Sequence, residues 1–400
     1  MYRAIIIIRL FVGMLFTAIY PTSANAKEQS LAIITSFSEE ISSELLDDYR
    51  QYRPNANIDI IYRKTESVLR LLNDGRVQPD VVLSSSPFLF NALQKNSGML
   101  DSALSFIPFA YSETVFIYNQ EYLKKLNITP PDTWQALAKP EFHSHITMSS
   151  PSRSGTTHIM VESILQQYGW DTGWQLLLEI GGNLRGVSAR SFGVSESVSR
   201  GVVGVGPVID SYALKQQDKL KYITYRPIRK GPIIPVYYGV IHNSANKAAT
   251  HDFLAYLQQL STDERHAMRA FKKHAIQTSE QSPEKTYSVD QTLMLKRSNL
   301  VKLLFDKTIV AHTPILQQVW GDIHQKEKRH LTSAEQHKIT QAKQLLSTPI
   351  ITQAQSESAH VLQLANLPPQ SHERVMFSES LEKKFRLNID KALDILRTIE

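Results

Sequence analysis

Cysteine is absent from all 400 residues, which removes disulfides, thiolate nucleophiles and cysteine-ligated metal sites from consideration. The absence is also common in chains exported to an oxidising compartment. Glycines do not fall in nucleotide-binding patterns. No G-x-x-x-x-G-K-[ST] loop occurs, and Gly201, Gly204 and Gly206 precede and occupy a strand-like run that a dinucleotide fingerprint would have to follow. No G-x-S-x-G elbow is present, so the many serines do not compose a hydrolase nucleophile of that kind. Charge of one sign is not in large excess. The balance of 44 basic and 38 acidic residues, +6, is too mild to imply nucleic acid and suits a small anionic ligand.

Long apolar runs are lacking beyond the N-terminus, where Arg3 and Arg9 flank and interrupt an apolar segment that continues over residues 11–20. Ala24-Asn25-Ala26 then offers a small-x-small cleavage site. Residues 1–26 read as an export signal, with a mature chain that begins at Lys27 and is charged +4 (+6 less two arginines). A membrane anchor is the competing reading, but the uninterrupted run after Arg9 is only about ten residues, against the ~20 needed to span a bilayer.

What is present is a succession of strand-like runs with polar exits. Residues 30–36, 57–62 and 80–84 alternate with helical patterns carrying Leu45, Leu46 and Tyr49, then Val68, Leu69 and Leu72. Such alternation implies βαβ units and a parallel sheet, and ligands collect at the carboxyl ends of parallel strands. Ser36 and Ser38, and later Ser84, Ser85 and Ser86, occupy such ends, although any one of them also serves as a helix cap.

The dominant polar stretch is Ser-Ser-Pro-Ser-Arg-Ser-Gly-Thr-Thr at 149–157. Met160, Val161, Ile164, Leu165 and Tyr168 follow at helical spacing, so the loop opens a helix. Helix N-termini present unpaired N–H groups and partial positive charge. Ser152, Ser154, Thr156 and Thr157 add donors, and Gly155 leaves the backbone approachable, so the stretch reads as an anion seat or as a richly decorated N-cap. A second polar loop, residues 186–193, contains Arg190 and Ser191, and the strand over 202–209 exits at Asp210-Ser211-Tyr212. His143 and His145 form an isolated H-x-H, which reads as solvated surface rather than a metal site. Beyond about residue 313 only helical patterns recur. The clearest places Leu381, Phe385, Ile389, Leu393, Leu396 and Ile399 on one stripe, either for packing or for a partner.

Taken in order, Thr114–Asn119, Pro131-Asp132-Thr133-Trp134, Pro140-Glu141-Phe142 and the run 149–157 resemble the opening of the second lobe in periplasmic solute-binding proteins of the ferric-ion and hexose-phosphate type. The resemblance spans about residues 30–310 and implies an α/β fold of the two-lobed type II periplasmic binding protein class, with two crossing strands and a hinged closure. It implies crossings near 113–119 and 235–241. Lobe 1 is then expected over 27–113 and 240–310, lobe 2 over 114–239 and a helical extension over 311–400.

The resemblance assigns the anion to Ser152, Ser154, Gly155, Thr156 and Thr157, with Arg190, Ser191 and Asp210 beside it and Ser36, Ser38, Ser84, Ser85 and Ser86 facing it from the first lobe. Asp210 is expected to accept from ligand hydroxyls. The implied function is a non-enzymatic periplasmic receptor for a small phosphorylated organic anion, phosphoglycerate-like, that needs no cofactor, binds no nucleic acid and works with a permease or an inner-membrane sensor kinase complex. Delivery of hexose phosphate or ferric ion to an ABC transporter is the rival within the fold, and a serine hydrolase the rival outside it. Ferric binders of this type carry adjacent tyrosines after the last strand exit. Here Tyr212 stands alone, and strand alternation sends Tyr237 and Tyr238 to opposite faces.

Overall fold

The computed structural model describes residues 30–95, 98–277 and 286–399, so the export signal expected at 1–26 lies outside the described residues. Two sheets organise the chain. The first is six-stranded, in the order His274–Ala275, Leu100–Ser112, Ile234–Ile241, Val81–Ser84, Leu31–Thr35, Ile58–Tyr62. Leu31–Thr35 runs parallel to both neighbours, and Val81–Ser84 is buried throughout. Their near-continuous apolar character reflects a sheet covered by helices on both faces. The second sheet is five-stranded, in the order Leu184–Ser188, Ile146–Ser149, Val205–Ile209, Thr114–Asn119, Ile223–Pro227.

The chain leaves the first sheet at Ser112 and enters the second at Thr114, with Glu113 alone between them. Its return differs from the expectation. Ile234–Ile241 lies wholly in the first sheet, from Ile234 opposite Ser112 to Ile241 opposite Leu100, so the return falls between Pro227 and Ile234. A fully buried strand and a crossing strand share the same apolar pattern, and only pairing separates them. Tyr237 packs with Phe90 and Phe106 while Tyr238 lies near Phe109, on the other side of the sheet.

The C-terminal helices begin earlier than residue 311. Gln291–Phe305 packs on Gly155–Tyr168 of the second lobe and on Pro87–Lys95 of the first, then continues through a π-helical turn, Asp306–Val310, toward Thr313–Lys326. That last helix lies on Trp170–Asn183, and Ser333–Ser347 packs along His372–Arg397. The stripe of Leu381, Phe385, Ile389, Leu396 and Ile399 is buried in this packing, with Leu393 half-buried. Among the described residues no helix is long and apolar enough to cross a membrane.

Candidate functional site

Six helices begin around one point between the lobes. Glu39–Tyr52, Thr65–Asn73 and Pro87–Lys95 come from the first lobe; Gly155–Tyr168, Ser191–Ser199 and Asp210–Lys219 come from the second. Each follows a strand exit, so the sheets aim their connecting turns at the same gap. Their N-termini add partial positive charge, and the local field favours an anion.

The gap encloses about 30 Å³, lined by Ser36, Phe37, Lys64, Thr65, Ser84, Ser85, Ser86, Arg153, Ser154, Gly155, Thr156, Arg190, Ser191, Phe192 and Tyr212. That volume accommodates about two waters, so the lobes are nearly shut. A Cβ added to Gly155 would come within 2.8 Å of the Ser86 Cβ in the opposite lobe, and this contact sets how closely the walls approach.

The lining is rich in hydroxyls and cations and has no carboxylate. Ser36 Oγ and Ser84 Oγ are 2.7 Å apart, and Ser154 Oγ lies 2.8 Å from Thr156 Oγ1 while it accepts from Thr157 N at 3.3 Å. Ser86 Oγ caps its helix by accepting from Leu89 N at 3.3 Å. Ser85 Oγ is buried with no hydrogen-bond partner in the protein. The Arg190 guanidinium sits over the Phe192 ring, 5.3 Å from its centroid. Among the described residues none of Lys64, Arg153 and Arg190 is paired with an acid within ion-pair distance. Burial pushes the Tyr212 hydroxyl up from its ordinary value, with Ser38, Ser191 and Arg190 opposing, so the phenol stays a neutral donor at physiological pH.

With this geometry in view, comparison with known proteins is decisive about family. Residues 33–271 match the bacterial extracellular solute-binding protein family. The chain is also 31% identical to the phosphoglycerate transport regulatory protein PgtC of Salmonella typhimurium strain LT2, over 77% of this chain and 83% of that protein. The chain belongs to the bacterial extracellular solute-binding protein family. Solved structures share its fold. The periplasmic binding protein AfuA from Actinobacillus pleuropneumoniae, with fructose-6-phosphate bound, superposes with a TM-score of 0.60 at 16% identity, over 70% of this chain and 98% of its own. Apo ferric ion-binding protein A from Pasteurella haemolytica gives 0.54 at 14% identity, over 70% and 97%. These neighbours show the two-lobed periplasmic binding fold.

Of the residues singled out in the sequence, the cleft of this solute-binding protein gathers Ser36, Ser84, Ser85, Ser86, Ser154, Gly155, Thr156, Arg190 and Ser191. It does not gather Ser38, Ser152, Thr157 or Asp210. Ser38 lies behind the wall, beside the Tyr212 hydroxyl, and Ser152 turns to Ser150, with Oγ atoms 2.8 Å apart. Thr157 is buried in the first helical turn. Lys64, Thr65, Phe37, Phe192 and Tyr212 were not foreseen as lining residues. Lys64 and Thr65 follow the exit of Ile58–Tyr62, so the strand-exit rule applied to that strand would have found them.

Asp210 requires a correction. It is buried and faces the crossing: Oδ2 accepts from Glu113 N at 2.9 Å and His274 Nε2 at 3.1 Å, and Oδ1 from Ser211 N at 2.6 Å. Its lone pairs are committed to the protein, so it is not placed to accept from a ligand in the cleft. His274 Nδ1 donates to Glu264 Oε1 at 2.7 Å. Burial by itself would lower the His274 pKa, but Asp210 and Glu264 outweigh it and hold it at about 9. Next to it, Lys273 Nζ donates to Ser112 Oγ at 2.7 Å and Ser211 Oγ at 2.8 Å, and burial draws its pKa down to about 8 against the pull of Asp210. Ser112, Glu113, Asp210 and Ser211 adjoin the first crossing, so a charged network stitches the lobes together behind the cleft.

His143 and His145 are half-buried rather than solvated, and each has its own partner. His143 packs against His324 of the C-terminal helices, and His145 Nδ1 is 2.9 Å from the Tyr122 hydroxyl.

Proposed function

We propose that this solute-binding protein receives a small phosphorylated organic anion of phosphoglycerate-like chemistry in the periplasm and regulates or feeds its uptake. The observation that carries the reading is the lining itself: among the described residues Lys64, Arg153 and Arg190 have no acid within ion-pair distance and no carboxylate lines the wall, and the three cations are set among hydroxyls at converging helix N-termini. Three cations match a ligand with two anionic groups. A phosphate is suited to the N–H groups and hydroxyls of residues 154–156, and a carboxylate to Lys64 or Arg190. The name of the Salmonella relative supports the same class.

Ferric ion is disfavoured on donor chemistry, because the wall offers no carboxylate and one phenol held neutral. A hydrolase reading lacks its base: among the described residues no cleft serine is hydrogen-bonded to a histidine, and His158 is buried inside its helix with Nε2 unpartnered. The partners in this reading are a permease or a membrane sensor kinase complex. Calorimetry with phosphoglycerate, unphosphorylated glycerate, hexose phosphate and ferric citrate is the test. Saturable binding of phosphoglycerate and none of glycerate is expected; ferric binding with a tyrosinate absorption band would overturn the assignment. Mature protein in the osmotic-shock fraction is expected to start at Lys27, and an intact Met1 terminus in membranes would refute export by cleavage.

A further inference from the structure

The helices beyond residue 290 are fastened to the second lobe by buried contacts, while Gln291, at the start of the first of them, also donates to the Tyr237 hydroxyl of the first sheet at 3.0 Å. Arg297 forms a buried fork with Glu162, with Nη2 2.8 Å from Oε2, and its guanidinium lies 5.1 Å from the Trp170 ring. Trp170 Nε1 donates to the Ile351 carbonyl at 2.7 Å, and Trp320 packs so tightly over Gly182 that a Cβ there would fall 2.0 Å from its ring. Buried bonds on this scale make the extension move with the second lobe.

Lys302 lies on the helix Gln291–Phe305, which also carries Arg297, yet it reaches the first lobe. Its Nζ stands 3.6 Å from the Phe88 ring centroid, and Glu66 and Asp306 are the acids that act on it. Phe88 follows Ser86 by two residues and Glu66 follows Lys64 by two, so both belong to the elements that form the first-lobe wall of the cleft. Asp306 Oδ1 accepts from Ser150 Oγ at 2.6 Å, and Ser150 lies in the loop that leads to the second-lobe wall. One helix thus touches both walls from behind. Lys302 is half-buried, and desolvation draws its pKa down to about 8, with Glu66 and Asp306 opposing.

We propose that Lys302 is a latch: carried by the second lobe through the C-terminal helices, it engages Phe88 and Glu66 of the first lobe only when the lobes are shut, and so couples the extension to closure of the cleft. Lys302 does not line the cavity. It acts on binding through the closed population, since apparent affinity falls in proportion to the competent fraction. A half-buried cation over an aromatic face is strong enough that its loss shifts the closed-to-open ratio by roughly three- to tenfold.

The absence of cysteine makes the test direct, because two introduced cysteines are the only labelling sites. Arg70→Cys in the first lobe and Glu196→Cys in the second, both exposed, carry spin labels whose distance distribution is measured with and without phosphoglycerate. In ligand-free protein, Lys302→Met, which keeps length and apolar bulk, is expected to move population toward longer distances, and Phe88→Leu to do the same from the other lobe. The double variant is expected to be no more open than either single one. An unchanged ligand-free distribution in Lys302→Met, or fully additive effects of the two changes, overturns the latch. The ligand-free arm does not depend on the identity of the ligand, so failure of phosphoglycerate to bind would refute the proposed function and leave the latch to be decided by the distances alone.

Discussion

Arg190 precedes the helix Ser191–Ser199 with its guanidinium over the Phe192 ring and, among the described residues, no acid within ion-pair distance. A hydrogen bond to a charged group is worth ~1.5–3 kcal/mol, so Arg190→Ala should weaken phosphoglycerate binding by roughly ten- to over a hundredfold in calorimetry, with the circular dichroism unchanged. Lys64 is exposed, and Lys64→Ala is expected to cost less than Arg190→Ala. Arg153 is exposed and should cost less; a larger loss at Arg153 than at Arg190 would exchange their roles. Gly155 has a different meaning from the one its sequence suggests. Its neighbour in space is Ser86 of the other lobe, 2.8 Å from an added Cβ, so Gly155→Ala should wedge the lobes apart and weaken binding while the small-angle scattering radius grows. A variant that binds weakly with unchanged radius would point instead to direct obstruction of the ligand.

At the level of elements, strand exits and the helix starts beyond them were legible because polar residues that end a buried run must cap or bind. The anion-loop helix begins at Gly155 with Ser154 as its cap, five residues ahead of Met160, where the apolar periodicity that announced it starts. The apolar residues between Phe253 and Phe271 keep helical spacing, yet they fall on two helices, Lys247–Thr262 and Glu264–Phe271, because Asp263 adopts an extended backbone and caps the second by accepting from His266 N at 3.0 Å. Apolar spacing runs through such a break unaltered. The extension's hold on the second lobe was invisible because it depends on Arg297 meeting Glu162, 135 positions away. Glu162 is fully buried, so Arg297→Met leaves its charge uncompensated and should lower stability by about 3–5 kcal/mol in urea unfolding. Adding Glu162→Met should recover much of that loss; if it does not, the pair's packing rather than its charge is what holds the helix.

For the whole molecule, the network behind the cleft makes the lobe junction pH-dependent. His274 has a folded-state pKa of about 9, above its ordinary 6.5. Its contribution is therefore fully present below pH 6.5 and is lost as pH rises through 9. A shift of that size corresponds to stabilisation on the order of 3 kcal/mol at the acid end. His274→Gln should lower the thermal midpoint clearly at pH 6, and the difference from wild type should shrink by pH 10. A penalty that does not vary between these values would mean that His274 acts by shape alone. The comparison is made against wild type at each pH because Lys273 titrates nearby with the opposite sign, its pKa lowered to about 8.

The sequence by itself determined the alternation of strands and helices, the polar exits where ligands gather, the resemblance to two-lobed solute-binding proteins and the lack of thiol chemistry. These properties are local, written in periodicity, caps and composition, and they survive without knowledge of what packs where. Tertiary structure decided which exits share a cavity. It brought Lys64 and Tyr212 to the wall and turned Asp210 to Glu113 and His274, because a buried carboxylate takes whichever donors the fold brings within reach. It also placed Ile234–Ile241 in the first sheet and laid the helix of Lys302 across both lobes. Those outcomes rest on contacts between residues far apart in the chain, where no spacing rule operates and only the packed core selects the partner.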